Sequence, residues 1–318
     1  MPYSAGYTKV FKNVGAVRNQ GIELSLSTVN IQTKDFTWSS DFNISFNRSK
    51  VMELTEGEEF LLSKVSFTAD YNRSYLYIAQ VGQPMAQFYG YEWAGVYGLD
   101  DFDCDSGGNY TLKKGDSTNG LARDKIQPGD IKYVDQNDDG VVNDKDRVVI
   151  GRGEPIHTGG FNNNFTYKGL TLNVFFQWNY GNDIMNANRI IFEGNALSKN
   201  INQYASYADR WSPENPASNI PRVNAVGREE YSSRVIEDGS FLRLKNVSLG
   251  YTLPSRSLRK AGISQMRVYV SADNIWTLTG YSGPDPEVST RNSVPTPGFD
   301  WSAYPRAFGF TAGVNLTF

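Results

Sequence analysis

The clearest pattern in the chain lies at its end, in the twelve residues from Ala307 to Phe318. Phe308, Phe310, Ala312, Val314, Leu316 and Phe318 are apolar and alternate with Gly309, Thr311, Gly313, Asn315 and Thr317. A period of two puts every apolar side chain on one face of a strand. Roughly nine to eleven residues are enough for a tilted β-strand to cross a bilayer, and this segment has that length and stops at an aromatic. The pattern predicts a membrane-spanning strand, with the last strand of a soluble sandwich as the plainer reading.

The same alternation recurs upstream. It predicts strands over 21–31 and 36–47, joined by a short turn at 32–35. In the second of these, Phe36, Trp38, Phe42, Ile44 and Phe46 share a face opposite Thr37, Ser39, Asp41, Asn43, Ser45 and Asn47. Further strands are predicted over 161–167 and 170–180, with Lys168 and Gly169 as their turn, then over 241–253 and 266–276. In the strand at 241–253 the outer set Val247, Leu249, Tyr251 and Leu253 would place Arg243 and Lys245 on the same face. That conflict predicts a bulge or a position above the membrane. Helical turns are expected around 188–197, 200–211 and 255–262, and prolines at 213, 216 and 221 stop anything longer.

Connection lengths then run short (32–35), long (48–155), short (168–169), long (181–235), fairly short (254–265) and long (277–306). Short turns on one side and long loops on the other are what outer-membrane barrels show, whereas a sandwich has no reason to keep such order. The expected fold is therefore all-β: about seven strands of an antiparallel transmembrane barrel, with long extracellular loops carrying short helices. The segment 48–155 reads as polar, Gly-rich and irregular, and a connection of that length is usually functional.

Composition changes this picture little. The chain has 318 residues, and 19 Tyr, 18 Phe, 6 Trp and 30 Gly suit many strands with aromatic girdles. No apolar run approaches the roughly 18 to 20 residues of a transmembrane helix. A net charge of −3 provides no basic patch for nucleic acid. Cys104 and His157 are each the single residue of their type, so neither a disulfide framework nor a Cys- or His-centred site is expected. Carboxylates are plentiful, but no pair is set apart as acid and base, and an enzyme is not expected. Met1 is followed by Pro-Tyr-Ser-Ala-Gly, which is no signal peptide, so the sequence reads as the tail of something longer if it is exported.

Within the first long connection, Asp135 to Asp146 has the spacing of a calcium loop. With Asp135 as position 1, Asp135, Asn137, Asp139 and Asp146 put oxygens at 1, 3, 5 and 12, Gly140 takes the sharp turn at 6, and the Val141 carbonyl stands at 7. Asn143, at position 9, would act through water. Asp146 stands where an EF-hand has a longer Glu. A structural calcium ion pinning an external loop is the expected role, and an ordinary Asp/Asn/Gly turn is the alternative. Among the aromatics of the same connection, Trp93 and Tyr97 are candidates for stacking on a sugar ring, or else pack inside the loop.

Asn13-Val14-Gly15-Ala16-Val17-Arg18-Asn19-Gln20-Gly21-Ile22-Glu23 resembles the N-x-G-x-x-x-N-x-G-x-E signature of the SusC/RagA family of TonB-dependent outer-membrane receptors. The acidic loop with its flanks Gly129-Asp130-Ile131 and Val148-Val149-Ile150-Gly151 is similar to that family's calcium loop. Residues 241–251, 273–281 and 283–287 resemble its last strands. The resemblance covers nearly the whole chain. It implies the C-terminal part of a 22-stranded barrel in the cell outer membrane, importing glycans or peptides with a SusD-like surface lipoprotein as lid and the TonB complex as energy source. Asn43, Asn173, Gln177 and Asn315 would then line the lumen. About seven strands, with no plug domain, imply a fragment that does not transport alone. A secreted, calcium-stabilised β-sandwich that binds carbohydrate is the competing expectation.

Overall fold

A computed structural model provides the structure of the protein and describes residues 13–68, 75–194, 201–225, 229–254, 258, 262–290 and 296–318. Seven strands form one antiparallel sheet in which each strand pairs with its neighbours in sequence. They are β1 (Gly15–Gln32), β2 (Phe36–Leu54), β3 (His157–Tyr167), β4 (Leu170–Tyr180), β5 (Phe241–Thr252), β6 (Gln265–Thr279) and β7 (Gly309–Thr317). The first hairpin is much longer than the alternation alone predicts, because pairing continues from Gly15 opposite Leu54 to Gln32 opposite Thr37. All three long connections leave from the same end of the sheet and all short ones from the other, as expected.

Register explains how the wall separates oil from water. Leu26, Phe42, Phe161, Phe176 and Leu244 stand in one cross-strand row on the outer face. The outer side chains are left uncovered by protein: Ile22 is 73% exposed and Phe310 67%. Such a continuous apolar surface is stable only against hydrocarbon or a partner. Eleven residues of β4 at about 3.3 Å each, tilted by about 40°, span a band of about 25 Å. Aromatics mark both rims, with Trp178, Tyr180 and Trp276 toward the long loops and Phe36, Trp38 and Tyr167 toward the short turns. No second sheet covers this face among the described residues, so the β-sandwich expectation does not hold.

The opposite face is polar and closes on itself. Asn173 donates to Asn162 Oδ1 and Asn164 Oδ1 at 2.6 and 2.7 Å, Asn246 donates to Asp273 Oδ1 at 2.7 Å, and Ser27 donates to Asp41 Oδ1 at 2.8 Å. Gly313 lies under the Tyr269 ring, where a Cβ would come within 2.5 Å of ring atoms. An interruption of the outer face lies toward the short turns, where Ser40 and Asn163 are buried. Asn163 Oδ1 accepts from Ser40 Oγ at 2.8 Å and from Trp38 Nε1 at 3.0 Å, and Asn30 donates to Ser40 Oγ at 2.6 Å. These bonds spare the patch much of the several kcal/mol that each unpaired polar group costs in lipid.

The bulge expected in β5 is present at Lys245, which the pairing skips on both sides. Its effect is to change phase: Val247 and Leu249 face outward after it, Leu242 and Leu244 face outward before it, and Arg243 turns inward. Arg243 is buried and holds Asp285 Oδ1 at 2.5 Å.

The segment 48–155 departs most from expectation. It is an ordered body with a four-stranded sheet (Phe60–Lys64, Tyr75–Gln80, Gln87–Tyr91 and Arg147–Arg152) and two two-stranded ribbons. Its main core draws Val65, Leu76, Tyr77 and Phe88 from the first long loop, Met185, Ile190, Tyr231 and Val235 from the second, and Phe299 from the third. A helix α1 (Ala187–Phe192) and a 3-10 turn at Ala205–Asp209 stand for the two helical turns expected in the second loop. Residues 195–197 of the first expected turn, residue 200 of the second and most of the turn expected at 255–262 lie outside the described residues.

Candidate functional site

The acidic loop is held from below. Asp130 is fully buried and accepts from the Gln127 N–H and from Arg222 Nε, both at 2.8 Å, which fixes the chain where it enters the short strand Ile131–Tyr133. Beyond it, each side chain of the loop folds onto the next backbone N–H. Asp135 Oδ2 accepts from Gly140 N at 2.8 Å, Asn137 Oδ1 from Asp139 N at 3.1 Å and Asp139 Oδ1 from Val141 N at 3.1 Å. Asp138 and Gly140 have φ of 57° and 84°, the left-handed turn that the glycine at position 6 anticipates.

Asp135 is also gripped by Ser117 Oγ at 2.7 Å, and that hydrogen bond, with those from the loop's backbone, holds its carboxyl below the usual carboxylate range. Its other oxygen, Oδ1, is buried and has no hydrogen-bond partner, which is the condition of an oxygen left for a cation. Asn137 and Asp139 are exposed beside it, and the Val141 carbonyl accepts from Asn143 Nδ2 at 2.9 Å. Asp146 is fully buried and placed differently. Its two oxygens accept from Gln136 N at 3.0 Å and Asn143 N at 2.7 Å, so it clasps the two ends of the loop together. No cluster of three His, Cys, Asp or Glu side chains with metal-ligand geometry occurs among the described residues, so a cation here would rely on amide and carbonyl oxygens beside the carboxylates.

Tyr97 is not free to stack on a ligand, and Trp93 is half-buried. Tyr97 is fully buried with Phe102, Leu112 and Ile126, and its hydroxyl donates to the Ser117 carbonyl at 2.7 Å. Burial pushes its phenol pKa up. Trp93 packs edge-on to Tyr133 at 5.7 Å, and the Arg234 guanidinium lies 5.5 Å over its ring. Both build the loop body, and their aromatic character alone could not distinguish core from contact surface.

A cleft of about 800 Å³, which sequence reasoning missed, opens between the second and third long loops. It is lined by Arg189, Glu193, Tyr204, Glu237, Ser282 and Pro284. Arg189 holds Glu193 at 2.6 Å and Glu237 at 3.2 Å, and Glu237 also accepts from Ser282 N at 2.8 Å. The i, i+4 spacing of Arg189 and Glu193 was a visible signal, but their partners lie some 45 to 90 residues away in sequence.

No protein-family model matches the chain. It is 35% identical over its whole length to TonB-dependent receptor P3 of Formosa agariphila and 31% identical to TonB-dependent receptor P26 of the same bacterium. It is also 26% identical, over 96% of its length, to TonB-dependent receptor SusC of Bacteroides thetaiotaomicron. The chain is homologous to TonB-dependent receptors. It spans 30%, 31% and 27% of the length of those three relatives. The whole chain also superposes on structures of the RagAB peptide importer and transporter, with TM-scores of 0.73 and 0.72 at 24% and 25% identity, covering 30% and 31% of those chains. Transporters and receptors of this kind are not enzymes.

Proposed function

We propose that the chain forms part of the wall and extracellular surface of an outer-membrane importer for glycans or peptides. The observation that carries this reading is the pairing of an uncovered apolar outer face with a hydrogen-bonded polar inner face on the same seven strands. Homology to TonB-dependent receptors, SusC among them, supports a TonB-driven cycle and a SusD-like surface lipoprotein resting on the loops. Strands β1 and β7 each leave one backbone edge unpaired in this sheet, and in hydrocarbon those edges need further strands. The lumen side presents Asn43, Asn173, Gln177 and Asn315, which offer hydrogen bonds without fixed charge to a passing polar substrate.

Calcium at the acidic loop belongs to the same reading. Asp135, Asn137, Asp139 and the Val141 carbonyl would hold it, with Asp146 closing the loop behind them. The partnerless Asp135 Oδ1 supports this assignment. A bound ion would supply charge that lets the exposed carboxylates approach one another and would stiffen the first long loop.

Uptake tests the function directly. Deleting the reading frame should abolish growth on one glycan or peptide source while growth on its monomers persists, and restoring the gene should restore growth. Unchanged growth and uptake across both polymer classes would overturn the importer reading.

A further inference from the structure

The outer face of the wall is not evenly filled at its extracellular rim. In the row containing Gly159, Trp178, Leu242 and Leu278, three large side chains stand side by side. One row above, His157 and Tyr180 are followed across the sheet by Ser240 and Gly280, so the wall drops abruptly from bulky rings to almost nothing. The His157 and Tyr180 rings stack 5.0 Å apart, and Trp178 Nε1 donates to His157 Nδ1 at 3.1 Å, which holds the high side of the step rigid. The result is a groove of about 540 Å³ floored by Leu242 and Leu278, walled by Trp178 and Tyr180, and edged by Ser240, Thr279 and Gly280.

The chemistry of the groove selects its occupant. No Asp, Glu, Lys or Arg lines it. Its edge hydroxyls are already engaged, Ser240 Oγ accepting from Gly181 N at 2.9 Å and Thr279 Oγ1 donating to the Ser240 carbonyl at 2.9 Å. It therefore offers a charged headgroup no more than the His157 ring and offers much to a hydrocarbon. It is also continuous with the lipid-facing band and lies at the level of the upper aromatic girdle, where an outer-leaflet chain begins its descent. We propose that this groove is the seat of one acyl chain of an outer-leaflet lipid, an inference that rests on the outer-membrane reading above.

Native membranes from cells fed a diazirine-bearing palmitate provide the test. After illumination, peptides carrying Leu242 and Leu278 should be labelled severalfold more than the closing strand around Val314 and Leu316, because a chain seated in the groove stays beside them while lipid along the flat wall exchanges. Gly280→Trp should erase that excess without unfolding the wall, because no atom lies within 4 Å of a Cβ built at this position. Even labelling along the wall, an excess that survives Gly280→Trp, or cross-links to a second protein in place of lipid would overturn the seat while leaving the membrane reading intact. Absence of label from every wall strand would overturn both.

Discussion

At the scale of single residues, the acidic loop shows how much spacing conveys and where it stops. The tight turn itself was legible from Gly140 in the sixth position, and Asp138 and Gly140 do adopt φ of 57° and 84°. The role of Asp146 was not legible. Whether a carboxylate faces a cation or caps backbone N–H groups depends on where the strand after it lies, and here it accepts from Gln136 N and Asn143 N. That Tyr97 packs inside the loop body was hidden for the same reason, since burial is a property of the fold around it. Calcium should protect the segment around 136–145 from protease, and Asp139→Ala should remove the protection while leaving the chelator-treated pattern unchanged. Because the Asp135 carboxyl is held below its ordinary range, it stays ionised as pH falls past the point where a free Asp of pKa about 3.9 is half protonated. Protection should therefore persist at mildly acid pH. Identical digestion with calcium and with chelator would remove the ion from the account.

At the scale of elements, the apolar stretches of the wall strands were readable because their period of two is enforced on every strand by lipid outside and water inside. What the period could not show was the length of β1 and β2 beyond the apolar stretch, since above the membrane the hairpin needs no alternation to stay paired. The bulge at Lys245 was visible as a clash of phase, and the structure shows what it achieves. Arg243, displaced inward, meets Asp285 at 2.5 Å and Glu287 at 3.5 Å, and Arg306 adds a contact to Glu287 at 2.9 Å. Burial alone would raise the Asp285 pKa, but hydrogen bonds from Arg243 and from the backbone of Glu287 and Arg306 outweigh it and hold the carboxyl low. Deleting Lys245 would join Leu244 directly to Asn246 in a ladder of unchanged phase against β4 and keep Arg243 inward, whereas Asp285→Ala would leave Arg243 buried without its main partner, a loss of about 3–5 kcal/mol. Lys245→Ala keeps the residue count and gives up only a 3.7 Å contact with Glu287, worth less than about 1 kcal/mol. Asp285→Ala should weaken or abolish the folded band on an unheated gel, and both the deletion and the Lys245 alanine variant should keep it. Loss of the band from the deletion would show that Lys245 does more than fill the bulge.

At the scale of the whole molecule, the usual arrangement of oil and water is inverted. The strands carry their apolar side chains outward, and the largest protein-covered core lies in the loops. This explains why 48–155 read as irregular: its core residues follow no single period, and they meet partners more than two hundred residues away. Phe299 shows the dependence most directly. It is fully buried, pairs in register with Met185 of the second loop, and packs its ring 5.6 Å from Phe67 of the first. Tyr77 ties the same junction by donating its hydroxyl to the Pro297 carbonyl at 2.6 Å. Replacing Phe299 by Ala removes the packing common to three loops, a change that costs about 3–5 kcal/mol for a buried aromatic. None of the wall's stabilisation passes through that ring. Phe299→Ala should thus expose all three long loops to protease together while the barrel's resistance to unheated detergent is retained. Phe308→Ala, the same exchange on the outer face at a ring 61% exposed, should leave loop digestion unchanged. Cleavage confined to 280–308 in the Phe299 variant would mean that the loops fold separately, and the surface they present to a partner would then be three independent pieces instead of one body.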